Sequence, residues 1–133
     1  MVHIVGAGPG DPELITVKGR RYLEEADVVI YAGSLVNPAL LAVCREDAVI
    51  HNSAKMTLDE VLAVIAEAEA AGKMTVRLHT GDPAIYGAIQ EQMDAMAKKG
   101  IAYDVVPGVS SFLAAAAALR QEYTLPGISQ TVI

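Results

Sequence analysis

The sequence is poor in cysteine and in large aromatic residues, and it has no long apolar run. It contains one cysteine, Cys44, one phenylalanine and no tryptophan among 133 residues. A single cysteine excludes a disulfide within the chain and a cysteine-based metal cluster, and it is typical of a reducing compartment. We interpret Cys44 as a small buried apolar residue. No apolar run approaches the roughly 20 residues of a membrane span, and residues 2–5 lack the pattern of a signal peptide. We therefore expect a cytoplasmic protein without a membrane partner.

Positive charge is also scarce, because the net charge is −6 at pH 7. That balance argues against nucleic acid as a partner. The apolar fraction of 53% is enough for a solid core in a chain of one-domain length. Because aromatic residues are few, this core must consist of Val, Ile, Leu, Ala and Met.

Short apolar runs alternate with helical patterns along the chain. Predicted strands span residues 2–5, 28–31, 48–51, 74–79 and 103–106. Predicted helices span residues 16–25, 38–44, 57–71, 84–99 and 110–119, and the last is Ala-rich and expected to pack close to the sheet. Thr57 and Glu60 form a capping box before the third helix. Residues 129–133 suggest a further strand or connector, from which we expect the chain to be part of a longer protein.

The predicted strands do not alternate apolar with polar residues, which suits strands buried on both faces of a parallel sheet. Their alternation with helices implies right-handed crossovers. We predict an α/β fold with a mostly parallel, about five-stranded sheet and helices on both faces. Ligands of such sheets bind beyond the carboxyl ends of the strands. The loops that follow the strands are therefore the candidate site.

The loop after the first strand, Gly6-Ala7-Gly8-Pro9-Gly10-Asp11, is Gly-rich but does not fit a dinucleotide site. Asp11 stands where the Rossmann fingerprint has its third glycine, and a carboxylate there would repel a pyrophosphate. Pro9 and Pro12 remove backbone N–H groups from the loop. No acid follows the second strand, since Asp27 precedes it. Asp11 can instead be a turn residue.

The loops after the fourth and fifth strands each open a predicted helix. Asp82 is a candidate N-cap with Pro83 at the first helical position, and Ser110 or Ser111 is a candidate cap for the last helix. The functional alternative is that the exposed backbone at Thr80 and Gly81, together with these hydroxyls, contacts a ligand.

Neither loop carries a catalytic triad, paired acids or a P-loop lysine. The three histidines, His3, His51 and His79, lack metal-ligand spacing. We predict no metal site. The absence of a catalytic group suits chemistry in which a cofactor supplies the reactive atom.

Four sequence blocks resemble the tetrapyrrole (corrin/porphyrin) methylases. They are VGAGPGDPEL at 5–14, ADVVIY at 26–31, TGDPAIYG at 80–87 and VVPGVSS at 105–111. Within the family, YAGSLVNP at 31–38 and QEYTLP at 121–126 are similar to the branch that methylates carbon 11 of precorrin-4 or cobalt-precorrin-4 during cobalamin synthesis.

The resemblance implies an S-adenosylmethionine-dependent methyltransferase, usually a homodimer, with two α/β domains and the cofactor in the cleft between them. Residues 1–133 would be the N-terminal domain, and the second domain is absent from this chain. The implied cofactor contacts are Pro9, Thr80, Gly81, Asp82, Ile85, Tyr86, Ser110 and Ser111. The implied tetrapyrrole contacts are Gly8, Gly10, Asp11, Ser34 and Lys55.

The resemblance does not identify a catalytic base. The uroporphyrinogen III branch has an aspartate after the tyrosine that ends the second strand, and Ala32 occupies that position here. Cations for the carboxylates of a tetrapyrrole would come from Lys18, Arg20, Arg21, Arg45, Lys55 and Arg77, each otherwise a solvated surface residue. The alternatives are another methylase of the pathway, an isolated domain with no activity of its own, and the disfavoured NAD-binding domain.

Overall fold

A computed structural model describes residues 1–132. A five-stranded sheet has the order β3-β2-β4-β1-β5, and every pair is parallel. The strands are β1 Val2–Gly6, β2 Val28–Tyr31, β3 Val49–Asn52, β4 Thr75–His79 and β5 Tyr103–Val106. The prediction of a parallel α/β sheet is confirmed. Complete burial holds for the central strands β1 and β4, whereas the edge strands β3 and β5 are partly exposed.

Helices cover both faces of the sheet. They are α1 Val17–Glu25, α2 Pro38–Leu41, α3 Leu58–Ala70, α4 Ile89–Lys98 and α5 Ser111–Leu119. Ile4 and Ile30 pack with Ile65 and Met96 of α3 and α4 on one face. On the other face, β-strand residues including Val5 pack with side chains of α1 and α2. These two cores hold the sheet rigid, so its carboxyl edge can position loops.

Short polar side chains begin most of these helices. The Thr16 hydroxyl accepts a hydrogen bond from Gly19 N at 3.0 Å, and the Thr57 hydroxyl accepts one from Glu60 N at 3.2 Å. The Thr57 half of the predicted capping box is therefore confirmed. The Glu60 carboxylate accepts from the Thr57 hydroxyl, whereas in a full capping box it would accept from Thr57 N. Each of these bonds satisfies a backbone donor that has no partner within the helix.

Three predicted helices differ from those observed. The helix predicted over residues 38–44 ends at Leu41, because the chain continues as turns in which Val43 N donates to Leu40 O and Cys44 N to Leu41 O. The helix predicted from residue 84 begins at Ile89, so Asp82 and Pro83 are not its first turn. A Cβ on Gly87 would lie 2.0 Å from the Pro83 carbonyl oxygen, and this close packing holds the segment as a turn. Helix α5 has no buried residue, so the prediction that it packs close to the sheet is wrong.

Smaller corrections concern β3, Cys44 and the end of the chain. Strand β3 begins one residue later than predicted. Cys44 is half-buried against the α1–α2 core, and burial raises the pKa of its thiol. No strand forms over residues 129–132, although Leu125 and Ser129 form an isolated bridge. The last residue of that predicted segment, Ile133, lies outside the described residues.

Within residues 1–132, no helix combines the length and the apolar character that crossing a membrane requires.

Candidate functional site

The five loops that follow the strands lie at one edge of the sheet. We call them the first loop (residues 7–16), second loop (32–37), third loop (53–57), fourth loop (80–88) and fifth loop (107–110). The first, second, fourth and fifth loops, with the start of α5, surround an open depression of about 340 Å³. Its lining consists of Gly8, Pro9, Leu35, Thr80, Gly81, Asp82, Ile85, Tyr86, Ser110, Ser111 and Phe112.

Glycines bring the backbones of three loops into direct contact at the base of this depression. Gly81 N donates to Gly8 O at 2.8 Å, and Gly8 N donates to Gly81 O at 3.2 Å. A Cβ on Gly6 would lie 2.6 Å from Gly81 O, and one on Gly108 only 2.2 Å from the same atom. Any larger residue at position 6 or 108 would therefore separate the loops. Gly6 and Gly8 therefore permit close packing of backbone against backbone. This agrees with the prediction that the first loop is not a phosphate-binding site.

Asp82 joins the fourth loop to the fifth. One carboxylate oxygen accepts from Ala84 N at 2.8 Å, and the other accepts from Gly108 N at 2.9 Å. The helix-cap interpretation of Asp82 was wrong because no helix follows it. Its carboxylate instead fixes the distance between two loops that line the depression.

The hydroxyls of Thr80, Ser110 and Ser111 are available to a ligand. Ser110 occupies the N-cap position of α5, but its side chain makes no cap hydrogen bond. Among the described residues, none of these three hydroxyls has a side-chain hydrogen bond at all. Polar groups that converge on a concavity without partners are typical of a binding site.

The rest of the lining is apolar and exposed. Tyr86 is fully accessible, Leu35 is 78% exposed and Ile85 is 50% exposed. Tyr86 and Ala88 also have φ angles of 58° and 52°, in the left-handed region that non-glycine residues avoid. Large apolar side chains presented in this way indicate contact with a further surface or ligand.

The residues predicted for the tetrapyrrole extend from this depression along the rim. Gly8 lines the depression, while Gly10 and Asp11 lie further along the first loop. The Asp11 carboxylate accepts from Glu13 N at 2.9 Å, which confirms its interpretation as a turn residue. Ser34 is exposed beside Leu35, and Lys55 is exposed on the third loop. The second and third loops are in contact, since a Cβ on Gly33 would lie 3.7 Å from Ala54 Cβ.

Some proposed cations are engaged elsewhere. Arg77 is buried, contrary to the expectation of a surface residue, and donates to Gln92 Oε1 and Ile30 O, both at 3.1 Å. Burial lowers the pKa of Arg77 to about 10. Arg45 pairs with Asp27 at 2.6 Å. Asp27 also accepts from Met74 N, and this bond and Arg45 lower the pKa of its carboxyl.

His79, the last residue of β4, lies buried directly before the fourth loop. Burial, with a smaller contribution from the charge of Arg77, lowers its pKa to about 4, so the ring is neutral at pH 7. Within the described residues its Nε2 has no hydrogen-bond partner. Residues 1–132 also contain no group of three or more His, Cys, Asp and Glu side chains that could hold a metal.

Sequence reasoning missed Leu35 and Phe112 in the lining. Leu35 falls in the segment 31–38 that resembles one branch of the family, and its place beside Ser34 is the signal that could have identified it. Phe112 is the one phenylalanine of the chain. It would have been found if the Ala-rich helix had been recognised as an exposed element.

Comparison with known proteins gives consistent results. The family model for Tetrapyrrole (Corrin/Porphyrin) Methylases matches residues 1–133. The cobalt-precorrin-4 C(11)-methyltransferase of Methanocaldococcus jannaschii is 61% identical over 132 residues, which are 99% of this chain and 51% of that protein. The chain thus spans about half the length of this relative.

Two solved methyltransferase structures are similar in fold to this chain. The X-ray structure of a cobalt precorrin-4 methyltransferase has a TM-score of 0.97 and 51% identity, covering 99% of this chain and 55% of the other. The uroporphyrin-III C-methyltransferase of Thermus thermophilus, complexed with S-adenyl homocysteine, has a TM-score of 0.79 and 35% identity, covering 98% and 52%.

Proposed function

Because this chain belongs to the tetrapyrrole (corrin/porphyrin) methylases, we propose that the complete protein methylates carbon 11 of precorrin-4 or cobalt-precorrin-4 in cobalamin synthesis. The observation that carries the proposal is the 61% identity with a cobalt-precorrin-4 C(11)-methyltransferase over 99% of this chain. The methyl donor is S-adenosylmethionine, which is supported by a related structure complexed with S-adenyl homocysteine.

The depression is the cofactor site in this proposal. All residues that the family resemblance implied for the cofactor line it, namely Pro9, Thr80, Gly81, Asp82, Ile85, Tyr86, Ser110 and Ser111. The residues fit such a molecule because the free hydroxyls can bind its polar groups, and Gly81 leaves room beside them for a ligand. Ile85 and Tyr86 offer apolar surface to an adenine or a thioether chain.

When bound, S-adenosylmethionine supplies an electrophilic methyl group on a sulfonium. The loops supply position, holding donor and acceptor at about 3–3.5 Å. Side chains such as Tyr86 and Leu35 exclude water from the reacting centre. No residue of this chain is assigned as the base that accepts the proton lost from the macrocycle.

The tetrapyrrole lies along the first, second and third loops in this proposal. Gly8 lines the depression, and Gly10, where a Cβ would meet no atom within 4 Å, permits close approach of a flat ring. Ser34 and Lys55 are exposed on the same rim. Asp11 is exposed at the end of the first loop. Lys55 supplies a local cation for a substrate carboxylate, which matters in a chain of net charge −6.

A second candidate function is that of an isolated domain with no activity of its own. It is favoured by the open side of the depression and by the exposed apolar residues around it.

We propose that residues 1–133 form an N-terminal domain and that a second domain, absent from this chain, closes the depression. The complete protein is a cytoplasmic homodimer in this proposal.

Another methylase of the pathway is the remaining alternative. Ala32, in place of the aspartate of the uroporphyrinogen III branch, disfavours that branch. Turnover of precorrin-4 or cobalt-precorrin-4, with uroporphyrinogen III left unmethylated, supports the proposal, and the reverse preference overturns it.

The cofactor site is tested by calorimetric titration of the complete protein with S-adenosylhomocysteine, with NAD as the control ligand. Ser110→Ala removes a hydroxyl that caps nothing, so we expect about fivefold to thirtyfold weaker binding and a change of less than about 0.5 kcal/mol in unfolding free energy. Thr57→Ala removes a cap remote from the depression. We expect it to cost about 1 kcal/mol of stability and to leave affinity unchanged. Binding of NAD in preference to S-adenosylhomocysteine would contradict the proposal.

A further inference from the structure

Hydrogen bonds tie all the loops at the carboxyl edge into one continuous rim. Ser53 Oγ on the third loop donates to Tyr31 O at 3.1 Å, at the start of the second loop. The first and fourth loops are bonded through their glycines, and Asp82 bonds the fourth to the fifth. The remaining tie joins the second loop to the first, where Asn37 Nδ2 donates to Gly10 O at 2.7 Å.

The Asn37 tie crosses a strand. Strands β1 and β2 are not neighbours in the sheet, because β4 lies between them. No ladder bond therefore joins the first and second loops directly. Each is held to β4 only at its first residue, where Ala7 N donates to His79 O and Ala32 N donates to Leu78 O. Within residues 1–132, the bond from Asn37 to Gly10 is the one hydrogen bond that joins these two loops.

The tip of the first loop has little else to hold it. Gly10 has a φ of +127°, and a Cβ built there would meet no atom within 4 Å. No atom packs against Gly10 on the side where a Cβ would stand, and glycine adopts this φ without the strain that a side chain would cause. A hydrogen bond to its carbonyl is an effective restraint under these conditions.

Asparagine is suited to this position because it uses both ends of its amide. Its Oδ1 accepts from Ala39 N at 3.0 Å and so caps α2, while its Nδ2 makes the bond to Gly10. Aspartate would cap the helix equally well. It has no N–H to donate, however, and would place a carboxylate oxygen against the Gly10 carbonyl.

We propose that Asn37 is a positioning residue that sets the first loop for the tetrapyrrole. It couples the segment 31–38 to the Gly-rich loop across β4. The inference rests on the proposed function, because the first loop is the part of the rim assigned to the macrocycle. Asn37 acts through the Gly10 carbonyl and not by touching the reacting atoms.

The test uses the complete protein with Asn37→Asp and Asn37→Ser. Both keep a helix-capping side chain. Aspartate has no N–H for the Gly10 carbonyl, and the serine hydroxyl is one atom shorter than the amide nitrogen that reaches it, while adding no charge. Asn52→Asp is the matched control, since Asn52 Oδ1 likewise accepts from a backbone N–H two residues on, Ala54 N at 3.0 Å. Its Nδ2 makes no hydrogen bond within the described residues.

For both Asn37 variants we expect faster amide hydrogen exchange over residues 8–13. We also expect a KM for the tetrapyrrole raised about tenfold and an affinity for S-adenosylhomocysteine within about twofold of the original. The Asn52 variant should match the unaltered protein in the exchange over residues 8–13 and in the affinity for S-adenosylhomocysteine. If Asn37 only capped α2, both variants would keep that cap and would change neither the exchange nor the KM.

The inference and the proposed function can fail separately. Unchanged exchange over residues 8–13 in Asn37→Ser overturns the inference, whatever the enzyme does. Faster exchange with an unchanged KM also overturns it, because the tie would then have no bearing on the substrate. An unaltered protein that methylates no tetrapyrrole overturns the proposed function, while the exchange arm still reports on the tie.

Discussion

At the scale of single residues, neither Asp82 nor Ser110 has the role that its sequence context suggests. Each stands where a helix cap is expected. Both carboxylate oxygens of Asp82 instead accept hydrogen bonds from backbone N–H groups of two different loops. Ser110 occupies the cap position, but its side chain makes no cap hydrogen bond. Both residues stand at expected cap positions, and neither side chain caps a helix. A missing helix cap therefore distinguishes these residues of the site.

His79 makes the stability of this domain depend on pH. Its pKa is about 4 in the folded chain, against about 6.5 when unfolded. Between these values the unfolded chain binds a proton that the folded chain does not, so stability falls as the pH falls through this window. We expect a loss of roughly 3 kcal/mol from pH 6.5 to pH 4 and no contribution above pH 6.5.

Urea unfolding between pH 4 and pH 7 measures this effect. His79→Gln should flatten the dependence relative to the unaltered protein, since a glutamine does not titrate. His51→Gln, at a half-exposed position on β3, is the control and should retain the original slope. Equal slopes for all three proteins would contradict the assignment to His79.

At the scale of elements, three helices end in the same left-handed motif. After α3 the residue is Gly72, after α4 it is Gly100, and after α5 it is Arg120, with φ angles of 69°, 69° and 53°. In each case the next residue donates back to the helix, as Gln121 N does to Ala116 O at 3.0 Å. Arginine pays a conformational penalty there that glycine does not.

Arg120→Gly should therefore stabilise the domain by about 1 kcal/mol, since the left-handed conformation costs roughly 1–2 kcal/mol for a residue with a Cβ. The reverse exchange, Gly100→Arg, should destabilise it by a similar amount. Chemical denaturation of both variants measures the pair. A loss of stability in Arg120→Gly would mean that the arginine side chain makes a compensating contact.

At the scale of the whole molecule, one side of the domain remains apolar and open. The exposed residues of α5 and the segment after it adjoin the depression, and they include Leu113, Leu119, Tyr123 and Ile128. Phe112, Tyr123 and Val132 line a second groove of about 600 Å³ with Ile85. An isolated domain with such a surface is expected to bind apolar probes and to associate.

We expect the 133-residue chain to bind S-adenosylhomocysteine at least about tenfold more weakly than the complete protein, because its depression is open on one side. Parallel calorimetric titrations measure the difference. The short chain should also bind a hydrophobic fluorescent dye, and Leu119→Lys with Ile128→Lys should reduce that binding without loss of helix content. Equal affinity of the two proteins would show that the depression is complete without a second domain.

The sequence by itself determined the strands, their parallel arrangement and the loops that carry the site. Val- and Ile-rich runs bounded by turn residues are local signals, and the Gly-rich blocks identified the family. Helix α4 was predicted five residues too early because Ile85 continues the apolar spacing of Ile89 and Met93. Local periodicity cannot report that Gly87 packs against Pro83 or that Ile85 stays exposed.

Only the tertiary structure decided which loops touch and which apolar surfaces stay uncovered. Gly6, Gly81 and Gly108 are far apart in the chain and meet because β4 and β5 flank β1. The tie from Asn37 to Gly10 likewise depends on strand order, which periodicity does not encode. Helix α5 has a single polar residue, Ser111, and yet has no buried residue. Burial depends on what lies opposite an element, and that is a property of the fold and not of the helix sequence.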